Sequence, residues 1–561
     1  MRGTTRTIAV AGVSALALLT AACNGGSSET TSATGGATGS ASASGDTGAS
    51  GGEITVNGCQ PENALIAGNT SETCGGDVLD TLTAKLVHYN SDTAEPEMDI
   101  AESIETDDNQ NFTVKLKDYK FADGTPVTAD SFVKAWNYTA YGPNGQGGSY
   151  FYGPIEGFDA LQCTGTEEGK ECEGTGKPKA EEMTGLKVVD DKTFTIKTTE
   201  KVSNLPVRLG YTAFAPQPES FFSDPEAFGK APVGAGPFKF ESWTEGQSIV
   251  VVKNPDYSGT NTAKLDKITF KFMQDMDAAY NELVANQLDL LTAIPVSALI
   301  DDKYKTELTD RNAQRETATI QWIGMNPKAD PTLAKPELRK ALSMAIDRET
   351  INKQIFNGTR TVSTGWVSPV VSGYKANACG EACVFDPAKA KAMLEQAGGY
   401  DGKLTLTYNT EGDHKTWTTA VCNSITDTLG IECTATPGGE FGEFLTNLTE
   451  GKTKGMFRNG WQMDYPSIEN YLTPIYAKNA DSNYFGPYNN PEFEKLLKEA
   501  AAAPSNDEAN VKYQEAEAVL AEDFPTIPLF YGKATMGWSD KLNPVKITPF
   551  GTADFASISL K

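Results

Sequence analysis

Apolar and polar residues alternate from Phe112 to Leu116 (Phe-Thr-Val-Lys-Leu), which predicts a half-buried strand, and Thr193 to Thr198 (Thr-Phe-Thr-Ile-Lys-Thr) predicts a second. Between them the spacing lengthens to that of a helix. Thr128 stands as an N-cap for a helix through Phe132 and Trp136, with Asp130 in the first turn where the helix dipole favours an acid. Further on, Lys335 to Phe356 reads as one helix: Pro336 suits its first turn, Leu338, Leu342, Ala345 and Ile346 share a face, and Gly358 stops it. From Gly455 to Pro466 an apolar-rich run ends at a proline that disfavours helix for Tyr465. As an extended strand, period two puts Arg458, Gly460, Gln462 and Asp464 on one face and Trp461 on the other. A cation and an anion then stand six residues apart, roughly 20 Å at about 3.3 Å per residue, with a glycine between them. Strands mixed with long helices predict an α/β protein.

The first residues follow another pattern. Arg2 and Arg6 precede an apolar run from Ile8 to Leu19, too short for a hydrocarbon core of roughly 30 Å, so residues 1–22 read as an export signal. Ala21 and Ala22 before Cys23 resemble the lipobox of bacterial lipoproteins, with Thr20 where an aliphatic residue is preferred; an ordinary signal with a chance cysteine is the alternative. Asn24 to Gly52 are almost wholly Gly, Ser, Thr and Ala, a composition that buries no apolar surface. Residues 23–52 are therefore expected to be a lipidated cysteine and a flexible tether.

The remaining body, Glu53 to Lys561, has room for two or three cores. The formal charge of −26 argues against nucleic acid and against docking on anionic lipid, leaving the lipid itself as the membrane link. Eight cysteines fall in sequence-local pairs: Cys59 and Cys74, Cys163 and Cys172, Cys379 and Cys383, Cys422 and Cys433. In an oxidising compartment an even count in close pairs favours disulfides, with connectivity open. No pair has C-x-x-C spacing and only His88 and His414 could complete a mixed site, so no metal or other cofactor is expected. Neither histidine lies in a recognisable catalytic motif, and the body Glu53 to Lys561 holds no G-x-S-x-G, H-E-x-x-H or G-x-x-x-x-G-K-[ST]. Seventy-four acidic residues leave a glycosidase-type carboxylate pair open, but the expectation is a protein that is not an enzyme.

Several segments together resemble one family. Ala101-Glu102-Ser103 and the stretch Asn111 to Trp136 look like the signature of bacterial family 5 extracellular solute-binding proteins, the receptors of peptide-type ABC importers. Val233-Gly234-Ala235-Gly236-Pro237-Phe238 with Asn254-Pro255-Asp256-Tyr257, then Arg339 to Arg348, Trp461 to Tyr465, Asn490 to Phe493 and Pro525 to Leu529 follow in the family's order. The resemblance implies a two-lobed, periplasmic-binding-protein-like (class II) fold whose discontinuous first lobe carries an inserted subdomain. Mapped here, lobe I is 53–316 with the insert at about 96–205, lobe II is 317–532, and 533–561 return to lobe I.

The resemblance also implies chemistry. In peptide-binding members an aspartate in the Asp-Tyr element, here Asp464-Tyr465, pairs with the ligand's α-ammonium. An arginine six residues earlier, here Arg458, sits towards the ligand's C-terminal side. Main-chain groups around Gly460 and Gln462 would bond the peptide backbone as an added strand, giving affinity without reading side chains. Trp461, Tyr150 and Tyr152 are further candidates for a side-chain pocket, with core packing as the alternative for each. One departure is Thr83-Ala84-Lys85-Leu86, where the family often reads Tyr-Glu-Gly-Leu. The expected protein is a monomeric, lipid-anchored receptor on the extracytoplasmic face of the cell membrane, passing short peptides to the permease subunits of an ABC importer. A receptor for another solute, oligosaccharide first, and a secreted enzyme or adhesin are the alternatives.

Overall fold

The computed structural model describes residues 51–70, 72–163, 176–410, 414–478, 480 and 488–561. Cys23, the export segment, the tether up to residue 50 and Cys172 lie outside the described residues. No described helix is long and apolar enough to cross a membrane.

Two long antiparallel strands, Asn312–Met325 and Ile527–Trp538, organise the molecule. Beyond the first lie Met456–Gln462, Leu404–Tyr408 and Cys433–Pro437. Beyond the second lie Leu290–Leu291, Glu53–Gly58, Lys267–Phe272, Ser248–Lys253 and Phe238–Thr244, so that one sheet runs through the protein. Thr361–Val362 adds a short rung to Ile527–Trp538.

The long pair is not regular. Asn312 to Glu316 oppose Gly537 to Lys533, then the register shifts and pairing resumes with Ile320 opposite Tyr531. The intervening backbone finds partners outside the ladder, as buried polar groups must. Ala318 N–H donates to Pro549 O at 2.9 Å, Ser368 Oγ donates to Thr317 O at 2.9 Å and Tyr471 Oη donates to Ala318 O at 2.5 Å. Gly532 stands against this break, where a Cβ would come within 2.7 Å of Thr317 Oγ1 and 3.0 Å of Thr319 Cβ. Glycine is required there by close approach.

Apolar side chains gather into separate cores. The largest includes Ile320, Trp322, Leu342, Trp417, Phe457, Leu472, Phe493 and Leu529. Another joins Ile54 and Val56, near the start of the folded body, to Met536, Trp538, Leu542 and Phe555 near its end. A third lies under a separate antiparallel sheet of Ala101–Glu105, Asn111–Leu116, Thr193–Lys197 and Leu186–Asp190. The strands expected at Phe112–Leu116 and Thr193–Thr198 are neighbours in it, with Asn111 opposite Lys197. Helix Ala129–Ala140 begins as expected: Thr128 and Ser131 form a reciprocal capping box, and Phe132 and Trp136 are fully buried against Phe194.

The helix expected over Lys335 to Phe356 is instead two, Pro336–Met344 and Arg348–Ile355. The break has a local cause: Asp347 accepts from Thr350 N–H at 3.0 Å and caps a new helix, so the first must end before it. Disulfides join Cys59 to Cys74, Cys379 to Cys383 and Cys422 to Cys433.

Candidate ligand site

Strand Met456–Gln462 lies parallel to Leu404–Tyr408 and antiparallel to Asn312–Met325. Arg458, Gly460 and Gln462 share its more open face, while Phe457 and Asn459 are buried on the other. The alternation ends at Gln462, two residues before Asp464, which corrects the expected run of four. Asn470, in the first turn of helix Glu469–Tyr476, is the reason. Its Oδ1 accepts from Asp464 N–H at 2.8 Å and from Trp461 Nε1 at 3.1 Å, and its Nδ2 donates to Asp464 Oδ2 at 3.1 Å. One buried amide thus replaces a ladder partner and turns the chain out of the sheet.

Asp464 makes no ion pair among the described residues. Burial pushes its carboxyl up to about 6; the Asn470 hydrogen bond and the Arg208 charge oppose the shift, and the Glu469 charge adds to it. Tyr89, from strand Val87–Tyr89, and Tyr211 face it from sequence far upstream: burial first, and then the Asp464 charge among others, hold both phenols above their ordinary value. Tyr89 is fixed by donating to Val207 O at 2.8 Å and by stacking on Phe550 at 5.5 Å.

Behind Asp464 lies a buried polar knot. Glu469 Oε2 accepts from Tyr465 Oη at 2.7 Å and Asn204 Nδ2 at 3.0 Å, and pairs with Arg208 Nη2 at 3.2 Å. Arg208, the last residue of the short helix Leu205–Arg208, also lies over the Tyr465 ring at 5.1 Å. Burial pulls its proton affinity down, and the charges of Glu469 first, then of Tyr465, Tyr513 and Asp464, together more than offset this, so the guanidinium stays charged. Arg208 therefore neutralises Glu469, leaving the Asp464 carboxylate as the charge without a counter-ion. Tyr465, 5% exposed, packs into the core under the four-stranded sheet and belongs to this knot rather than to an open wall.

The other expected residues divide. Arg458 Nε donates to Asn409 Oδ1 at 2.7 Å, and the guanidinium sits 5.7 Å from the Phe441 ring and 6.0 Å from Phe444. Gln462 accepts from Thr319 Oγ1 and donates to Phe550 O at 3.1 Å, which ties the strand end to the segment stacked on Tyr89. Trp461 is partly buried against the largest core. Tyr150 is 48% exposed and leads through Phe151, at 4.2 Å between centroids, to Tyr211 at 4.3 Å. Tyr152 is fully buried and donates to Ala213 O at 2.6 Å, which corrects its expected place on a pocket wall: its phenol is consumed inside the core. Lys85, the odd cation in the Thr83–Leu86 departure, is buried and paired with Asp80 at 3.2 Å, a structural charge.

Sequence reasoning missed Arg208, Glu469, Asn470, Tyr89 and Tyr211. Glu469-Asn470 just after Pro466 is a local signal, since an acid and an amide opening a helix beside a turn have a capping role to play. The others carry none, because they reach the site only through the tertiary fold.

Residues 95–483 match the family described as "Bacterial extracellular solute-binding proteins, family 5 Middle". The oligopeptide-binding protein OppA of Bacillus subtilis is 26% identical over 513 residues, covering 89% of this chain and 91% of the relative. Among solved structures, the murein tripeptide binding protein MppA of Escherichia coli superposes with a TM-score of 0.71 at 22% identity, covering 92% of this chain and 99% of the other. AppA of Bacillus subtilis, solved in complex with a nonapeptide, gives 0.68 at 22% identity over 92% and 100%. These likenesses show a two-lobed α/β binding-protein fold with a discontinuous first lobe. With more than half its length matched to the family, the chain belongs to the bacterial extracellular solute-binding proteins, family 5.

Proposed function

We propose that this protein is the extracytoplasmic receptor of an ABC importer, capturing short peptides between its lobes and delivering them to the membrane permease. The observation that carries the reading is Asp464: a carboxylate without an ion-pair partner, ringed by Tyr89 and Tyr211 and backed by an already neutralised Arg208–Glu469 pair. Such a site lacks one positive charge, and the α-ammonium of a free peptide supplies it with directional hydrogen bonds. Relatives named for oligopeptides and dipeptides, and a fold neighbour solved with a nonapeptide, support the same ligand class.

In this reading the open face of Met456–Gln462 receives the peptide backbone at Gly460 and Gln462, with Arg458 further along and Tyr150 at the rim. Lobe I is 53–316 with 533–561, its insert is about 96–205, and lobe II is 317–532. They close by twisting the two long strands at Thr317–Thr319 and Gly532. Cys23 anchors the protein through lipid, the following tether gives it reach, and the protein works as a monomer that converts no substrate.

The test is mass spectrometry of whatever leaves the purified Glu53–Lys561 body on denaturation, followed by calorimetry with the peptides found. A ladder of short peptides, bound tightly by the wild type and weakly by a folded Asp464→Lys variant, is the expected result. A single non-peptide solute, or peptide affinity untouched by Asp464→Lys, would sink the assignment.

A further inference from the structure

Arg360 stands out among the described arginines because neither a carboxylate nor a hydrogen-bond acceptor meets its guanidinium. Among the described residues no carboxylate lies within ion-pairing distance of the guanidinium and no acceptor bonds it; its Nε is buried without a partner. The nearby acid Glu316 is engaged instead by Thr361 Oγ1 at 2.6 Å. What holds the side chain is an aromatic ring, with the guanidinium carbon 5.5 Å from the centroid of Phe356. Burial alone lowers its proton affinity, with no neighbouring charge to raise it.

The strand register locates this guanidinium relative to the candidate site. Phe356 stacks edge-on against Phe530 at 5.3 Å. Phe530 lies opposite Val362 on one side and Gln321 on the other, and Gln321 lies opposite Gly460. Residues paired across antiparallel strands project to one face, so Val362, Phe530, Gln321 and Gly460 form a row on the face that also carries Arg458 and Gln462. Arg360, two residues before Val362 and stacked on the ring that meets Phe530, flanks that row. Three inter-strand steps of about 4.8 Å put Val362 roughly 14 Å from Gly460 across the strands, with Arg360 two residues further along the chain. Arg458, by contrast, is already occupied by Asn409.

We propose that Arg360 is a carboxylate-binding subsite of the ligand cleft, taking an anionic group of a captured peptide that lies across the sheet face from Gly460. A partly buried guanidinium with no ion-pair partner gains from one that arrives, and the planar fork beside the Phe356 ring can make two parallel hydrogen bonds to a carboxylate. The carboxylate comes from the peptide's C-terminus or from an acidic side chain. The inference rests on the peptide-receptor reading.

The experiment uses calorimetry on wild type, Arg360→Gln and Arg360→Lys with a length ladder of alanine peptides in three forms: free C-terminus, C-terminal amide, and amide with one internal glutamate. In the wild type a carboxylate-bearing form is expected to bind about tenfold to a hundredfold more tightly than the plain amide. Arg360→Gln abolishes that ratio without weakening the plain amide, and Arg360→Lys keeps part of it. A ratio lost only with the free C-terminus names the terminal carboxylate; one lost only with glutamate names the side chain. An unchanged ratio in Arg360→Gln, or equal weakening of all three forms with a lowered melting temperature, overturns the proposal. Failure of the wild type to bind any peptide instead refutes the receptor reading, and this inference with it.

Discussion

If Asp464 holds the peptide ammonium, protons compete with peptide for the same oxygens. The ligand-free carboxyl titrates at about 6. It is about nine-tenths ionised at pH 7, half at pH 6 and one-tenth at pH 5. Ammonium binding requires and stabilises the ionised form, so the direction is fixed: affinity is full above about pH 7 and falls as pH drops through 6, where binding releases the protons still held on the carboxyl. Relative to high pH, Kd rises about twofold at pH 6 and about tenfold at pH 5. The ligand does not mask this, since its α-ammonium stays protonated below about 7.7 and its carboxyl ionised above about 3.7. Among the facing groups, Arg208 stays charged and the Tyr89 and Tyr211 phenols stay neutral throughout. The assay is isothermal titration in two buffers of different ionisation enthalpy, which reads Kd and proton release together, on wild type and Asp464→Asn. The reasoning is refuted if Kd stays flat from pH 7 to pH 5, or if Asp464→Asn shows the wild-type slope.

Three further outcomes follow from the buried polar groups and the staples. Glu469→Ala leaves Arg208 buried without its counter-ion and deprives Tyr465 and Asn204 of their acceptor, and should cost about 3 kcal/mol or more in urea unfolding. Glu517, 1% exposed, accepts from Trp366 N–H at 2.9 Å through one oxygen while the other has no partner, and burial pushes its carboxyl up to about 7. Because the folded value is raised, wild type loses stability as pH rises from about 4.5 through 7, so Glu517→Gln should gain relative to it by up to about 3 kcal/mol between pH 5 and pH 8. Replacing Cys59 and Cys74 together by alanine opens a link of sequence separation 15, and should lower stability by about 3 kcal/mol and make it independent of reductant at that loop.

What the sequence made legible were features whose cause is local. Phe112–Leu116 alternates, Thr128 caps, and Gly460 and Gln462 lie with Arg458 on one strand face, because each depends on neighbours a few residues away. The long helix failed for an equally local reason: the apolar face at Leu342, Ala345 and Ile346 continues across Asp347, and periodicity alone ignores a cap inside the stripe. Asp464 was legible as a charge, but its environment was not. Tyr89 comes from the separate pair Val87–Tyr89 and Pro96–Met98, Asn204 and Arg208 from the segment that follows the four-stranded sheet, and Asn470 bends the strand before the fourth residue of the expected face. Tyr152 was misplaced because an aromatic after a glycine-rich loop reads the same whether its hydroxyl meets a ligand or Ala213 O.

The position of Ile527–Trp538 in the middle of the great sheet bears on how the protein is made. Glu53–Gly58 emerges first, yet the core over it stays unfinished until Met536, Trp538, Leu542 and Phe555 close it from the far end of the chain. Pairings of such sequence separation form slowly, because loop-closure entropy is lost before any contact compensates it. A chain delivered from its N-terminus thus carries its own delay: the core over Glu53–Gly58 stays open until residues 536–555 have arrived, although a smaller core such as that of Ala279 to Leu308 needs nothing so distant.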